Sequence, residues 1–197
     1  MNSKVYFIAL SDNPTIEQQV DAVRRLSEAC HISDIFEAND MVAIKLSVGE
    51  KNNTTHIKPP LAKEIVTLVK KKKAYPFLTE TSTLYKGERQ NAVKHILHAA
   101  KHGFGMDEVG APFIMADGLL GDSEMEVEIN GELFRSVKIA REAVVADAMI
   151  VLTHPTGHMA TGLGAAIKNV GMGLASRMGK MRQHSAAKPE IIPNKCR

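Results

Sequence analysis

The chain has no tryptophan, three tyrosines and two cysteines among 197 residues. So few rings leave little on which nucleic-acid bases could stack. Cys30 and Cys196 stand far apart and give no disulfide framework. A net charge of +3 does not supply the basic surface of a nucleic-acid binder. No stretch approaches the roughly 18 apolar residues of a membrane span. The amino-terminal MNSKVYFIAL carries too short an apolar run for a signal peptide. The G-x-x-x-x-G-K-[ST] phosphate loop is absent, and G-L-G-A-A-I from Gly162 lacks the third glycine of the dinucleotide fingerprint. These lacks point to a cytoplasmic chain, with neither nucleic acid nor membrane as partner.

What is present reads as an ordinary globular protein, 44% hydrophobic and 24% charged. Apolar runs at Lys4 to Leu10, Met41 to Val48, Tyr75 to Glu80, Ala111 to Ala116 and Ala148 to Thr153 predict strands. Helical spacing lies between them. Asn13 is the expected cap and Pro14 the first residue of a helix with an apolar stripe of Ile16, Val20, Val23, Leu26 and Cys30. That stripe makes Cys30 a small core residue. Pro59-Pro60 opens a second helix with an inner face of Leu61, Ile65, Leu68 and Val69 and a solvated end at Lys70 to Lys73. Gln90 to His102 is a third, stopped by Gly103; its His95, His98 and His102 share one face, expected to be solvated or partly packed. Ile139 to Ala146 is a short fourth.

Met125 to Ile129 and Glu132 to Ile139 flank Asn130-Gly131, the dipeptide suited to a two-residue type I′ turn, with the intervening glutamates on a wet face. Strands alternating with helices predict an α/β fold: a layered, mainly parallel sheet with flanking helices and a late antiparallel hairpin. Residues 1–184 form the expected single domain, and 185–197 a tail or linker.

Function concentrates at strand ends, where open α/β sheets gather ligands. The Thr81-Ser82-Thr83 loop follows one strand; its hydroxyls either bind a cofactor or cap the next helix. The last strand empties into His154, His158, Gly162, Gly164, Lys168 and, further on, His184. Three chemistries can use that set. His154, His158 and His184 could hold a divalent metal. The amides at Gly162 and Gly164, with Lys168, could meet a phosphate-bearing ligand. A histidine could move a proton while Lys168 acts as nucleophile or tether. The plainer alternative is close helix packing at the glycines and a satisfied turn at the histidines.

Thr79 to Phe104, Arg141 to His184 and the Pro-x-x-Cys tail resemble a family of uncharacterised iron–sulfur proteins in which a ferredoxin-like domain follows the α/β domain. The resemblance implies that Cys196 is the first ligand of a [4Fe–4S] cluster in a longer protein, coupled to an electron-transfer partner. More distantly, the second half is similar to the N-terminal domain of the nickel-pincer lactate racemase. That likeness implies a proton-transferring His158, a Lys168 tethering the pincer nucleotide, and His184 as a nickel ligand. Ala165 and Ala166 depart from that family's glycine run, and Thr81-Ser82-Thr83 stands where its second histidine would be. Three functions follow: a redox-linked domain with a metal- or phosphate-cofactor pocket, a racemase or isomerase of a small hydroxy acid, and a non-enzymatic scaffold presenting a cluster domain.

Overall fold

A computed structural model describes residues 3–159 and 161–185. Cys196 and the tail from residue 186 lie outside the described residues. The helices are α1 Ile16–Ala29, α2 Pro59–Lys71, α3 Ala92–Ala99, α4 Met106–Val109, α5 Arg141–Val145, α6 Ala166–Gly171 and α7 Arg177–Gln183. The strands are β1 Met41–Lys45, β2 Tyr75–Glu80, β3 Phe113–Met115, β4 Glu124–Glu128, β5 Ser136–Ala140, β6 Ala148–Val151, β7 Thr156–His158 and β8 Gly162–Gly164.

Four strands form one parallel sheet in the order β3-β2-β1-β6. Parallel strands covered on both faces are apolar throughout rather than alternating. In β1, accordingly, Val42, Ala43 and Ile44 are all fully buried, and the large ones each contribute about 1.5–3 kcal/mol. Ile65, Val66 and Val69 of α2 join Val42, Ile44, Leu78 and Ile150 of the sheet in the main core. The α2 stripe includes Ala62 and Val66, and Leu61 and Leu68 are only half-buried. Two antiparallel pairs, β4-β5 and β7-β8, stand apart from the sheet. The fold is therefore the expected layered α/β architecture with a late hairpin, and with a second hairpin where a polar turn was expected.

Several local expectations are overturned. Lys4 to Leu10 forms no strand; Val5 and Phe7 are exposed, and β-forming side chains without a neighbouring strand have nothing to pack on. The α1 cap is Thr15, whose hydroxyl accepts from Gln18 N–H while the Gln18 side chain accepts from Thr15 N–H. This capping box satisfies two orphan donors, which Asn13 followed by Pro14 could not do. Cys30 is exposed at the end of α1, because the buried face runs through Ala22 and Ser27.

The β4-β5 register pairs Val127 with Val137, so the hairpin is real, but Asn130-Gly131 is not a two-residue turn. Ile129 and Asn130 N–H groups both reach Arg135 O, closing a longer loop. Only Asn130 has positive φ, at 49°, whereas a type I′ turn needs it at both central residues. Nor is the glutamate face uniformly wet: Glu124 is half-buried, bonded to Lys138 and to Ser176 Oγ at 2.5 Å.

Candidate functional site at the ends of the parallel strands

β1 and β2 both end on a charged residue with no access to water. Lys45 is 1% exposed and Glu80 2%. Burying a charge costs several kcal/mol unless partners compensate it, so each must be accounted for. Glu80 is well served: Oε2 accepts from Val48 N–H and His95 Nε2, both at 3.0 Å, and Oε1 from Arg89 at 2.8 Å. Burial alone would raise its pKa, yet Arg89, His95 and Lys45 hold it well below the usual carboxylate range. Arg89 continues to Glu50 at 2.8 Å, and Tyr85 donates to the same Glu50 oxygen at 2.6 Å. A charged chain thus runs from the sheet interior to the Tyr85 loop.

The lysines are served less well. Lys45 Nζ donates to Leu46 O and Asn169 Oδ1, both at 2.7 Å, and lies 3.8 Å from Glu80. Lys180, 7% exposed on α7, donates to Thr81 Oγ1 at 2.5 Å and Ala175 O at 2.7 Å. The hydrogen-bond partners of both ammoniums are neutral oxygens, with Glu80 in ion-pair range of Lys45 alone. Burial therefore pulls both pKa values down to about 8: Glu80 opposes the shift at Lys45, and Asp117 opposes it at Lys180. Asp117 is itself buried and accepts from Ser82 N–H at 2.7 Å; burial lifts its pKa against Ser82 and Lys180.

The segment after β6 closes over these groups. Asn169 bridges Lys45 to Leu152 O and Thr153 Oγ1 at 3.0 Å. Thr81 Oγ1 donates to Gly173 O at 3.0 Å. A Cβ at Gly173 would lie 2.3 Å from Asn169 O and 2.8 Å from Lys45 Nζ; the backbone oxygen cannot yield as a lysine end can, so glycine is needed here. Arg177 donates to Thr83 O and Gln90 O at 3.3 and 2.6 Å. Thr81, Ser82 and Thr83 are all buried within this cluster. Arg89 Nε, His95 Nδ1 and Arg177 Nε are buried polar atoms without a partner among the described residues.

The other residues singled out from sequence lie elsewhere. His154 and Lys168 are exposed and His158 is half-buried. His158 Nδ1 lies 2.9 Å from Thr161 Oγ1 and accepts Thr161 N–H at 3.2 Å. Gly162 and Gly164 are paired within β7-β8 rather than opening a helix. Gly162 has φ of 72°, the left-handed turn conformation for which glycine is suited. A Cβ at Gly164 would sit 3.4 Å from Lys168 Cδ and 3.9 Å from His158 Cβ, so Lys168 and His158 flank one glycine. His184 ends α7, exposed. Among the described residues no group of three or more His, Cys, Asp or Glu could hold a metal ion, so His154, His158 and His184 do not fit one. The [4Fe–4S] expectation rests on Cys196, which lies outside the described residues; Cys30 is exposed just after α1.

The face of His95, His98 and His102, expected to be solvated or partly packed, is packed, with His102 half-buried. His95 and His98 are buried; His98 bonds Gly49 O at 3.0 Å and His102 bonds Val48 O at 2.7 Å. The His102 ring stacks on His56 at 4.7 Å. The carbonyls left open as the chain exits β1 give these rings partners that water would otherwise supply.

A family model, "Domain of unknown function (DUF362)", matches residues 42–194. The chain belongs to the DUF362 family. The DUF362 match begins inside β1 and takes in Lys45, Glu80, Asp117, Lys180 and the hairpin residues. Comparison with curated proteins and with solved structures gave no match. Among the described residues no helix is long and apolar enough to cross a membrane.

Sequence reasoning reached Thr81, Ser82 and Thr83 and missed Lys45, Glu80, Asp117 and Lys180. A usable signal was present: a charged residue falls inside or at the end of each central apolar run, Lys45 within Met41 to Val48 and Glu80 closing Tyr75 to Glu80.

Proposed function

We propose that the carboxyl-terminal edge of the parallel sheet binds a small phosphate- or carboxylate-bearing molecule. Lys45 and Lys180 supply the charge, and the Thr81-Ser82-Thr83 segment supplies hydroxyls. The observation that carries this reading is the pair of buried ammoniums, Lys45 and Lys180, whose direct hydrogen-bond partners are all neutral. An incoming anion would offset the cost of burying them, and in a water-poor site its attraction to them exceeds that in bulk water. In isothermal titration with inorganic pyrophosphate, the wild type is expected to bind and Lys180→Met to lose most of that binding. Lys94→Met, at an exposed position of α3, should behave as wild type. Equal binding by Lys180→Met would remove the proposal.

A second reading is favoured by the β7-β8 hairpin, where His158 and Lys168 flank Gly164. With Nδ1 accepting from Thr161 N–H, a neutral His158 carries its proton on Nε2, suited to proton transfer beside a cofactor held by Lys168. The racemase-like and redox-linked functions belong to this reading, the latter in a longer protein through Cys196. A mass shift on Lys168 in protein from a host able to make a pincer nucleotide would support it; unmodified Lys168 would remove it.

A further inference from the structure

Beside the strand-end cluster lies an open cleft of about 490 Å³, within the range of small-molecule sites. Leu84, Leu120, Met181 and Tyr85 line it, and each is exposed. Lys86 and Arg177 supply its charge, and no carboxylate is among its lining residues. Arg177 is held by both ends of the segment between β2 and α3, donating to Thr83 O and Gln90 O, and its Nε is buried without a partner among the described residues. Tyr85 donates to Glu50, and Arg89 holds the same carboxylate. The carboxylate that Tyr85 reaches is therefore already engaged.

Apolar walls with two cations and no acid suit an anion that carries an apolar body. The volume is that of a small ligand; a stable protein interface would need roughly 1,000 Å² or more of buried surface. The cleft adjoins the strand-end site through Arg177, whose backbone N–H donates to Gly121 O at 2.9 Å and whose side chain bonds Thr83 O.

We infer that this cleft binds a small amphipathic carboxylate, its apolar part against Leu84, Leu120 and Met181 and its charge toward Arg177 and Lys86. The inference goes beyond the strand-end proposal: Lys86 and Arg177, not Lys45 and Lys180, ask for the ligand's negative charge.

The test uses the 197-residue protein with octanoate, the neutral octanamide and pyrophosphate as separate probes, followed by backbone amide NMR. Octanoate is expected to saturate, with octanamide weaker by at least about tenfold, a difference of roughly 1.4 kcal/mol. Lys86→Glu and Leu120→Glu, both at exposed positions, should each weaken octanoate by about tenfold and leave pyrophosphate binding unchanged. Equal affinity for octanoate and octanamide, indifference to both substitutions, or no saturation with octanoate would each overturn the inference. Octanoate binding that passes these criteria while pyrophosphate fails to bind would sustain the cleft and remove the strand-end reading alone.

Discussion

Lys180 Nζ donates to Thr81 Oγ1 at 2.5 Å, joining residues 99 positions apart. The same hydroxyl gives its only proton to Gly173 O at 3.0 Å. One threonine thus fastens α7 and the preceding turn over the end of β2. The fastening puts a second buried ammonium beside Lys45, whose charge contributes to lowering the Lys180 pKa.

Removing that charge has a pH signature. The Lys180 pKa is about 8 in the folded chain and roughly 10.4 when unfolded. Between those values the unfolded chain binds more protons, so stability rises with pH across that window. Lys45 contributes in the same sense. Urea unfolding at pH 7.5, 9 and 10 is expected to show this rise in the wild type and a shallower one in Lys180→Met. An unchanged slope would show that Lys180 is not a buried cation at neutral pH.

Glu80 and Glu50 share Arg89 but differ in burial, being about 3% and 50% exposed at the side chain. Glu80→Ala is expected to cost about 3–5 kcal/mol, as for breaking a buried pair, and Glu50→Ala at most about 1 kcal/mol. Because the folded pKa of Glu80 is depressed, its contribution is present above the unfolded carboxylate range and fades as pH falls below it. Chemical denaturation of the two variants at pH 7 measures the contrast.

The imidazole cluster should make the fold acid-sensitive at a higher pH. Burial, and next the neighbouring His102, lower the pKa of both His56 and His98, against the hydrogen bonds to Asn53 O and Gly49 O that raise them. Groups lowered from 6.5 take up protons more readily in the unfolded chain, so stability falls as pH drops below roughly that value. His98→Gln can still donate to Gly49 O and is expected to flatten the loss between pH 7 and 5. A variant that retained the full wild-type slope would place the sensitivity elsewhere.

Gly173→Ala tests the closeness of the covering turn. The added Cβ would lie 2.3 Å from Asn169 O and 2.8 Å from Lys45 Nζ, and overpacking of this kind costs typically 1–3 kcal/mol. Thermal unfolding should show that loss, together with weaker pyrophosphate binding, whereas Gly157→Ala, with open space around its Cβ position, should be much closer to wild type.

Much of the sheet was legible because its strands are unbroken apolar runs. Tyr75 to Glu80 was bounded to the residue, since a buried parallel strand followed by hydroxyl-rich loop leaves little ambiguity. Lys4 to Leu10 is also a largely apolar run and forms no strand; composition does not say whether a partner strand exists. The hairpin's pairing was legible and its turn was not, because the register depends on cross-strand contacts that the Asn-Gly signal ignores.

At the site, Thr81 to Thr83 followed from the strand-end rule. Lys45 and Lys180 did not, because a lysine is ordinarily solvated and their burial depends on contacts across 124 and 99 residues, to Asn169 and Thr81. The packing of His98 and His102 was underestimated for a related reason: their partners, Gly49 O and Val48 O, belong to a distant loop.

The central claim, that two buried lysines at the strand ends receive an anion, is tested most directly by NMR titration of lysine side-chain resonances in selectively labelled protein. Lys45→Met and Lys180→Met assign the signals. Without ligand, both groups are expected to titrate near pH 8; with saturating pyrophosphate, the Lys180 midpoint should move upward as the anion stabilises its charged form. Midpoints that stay in place at saturating pyrophosphate would contradict the claim.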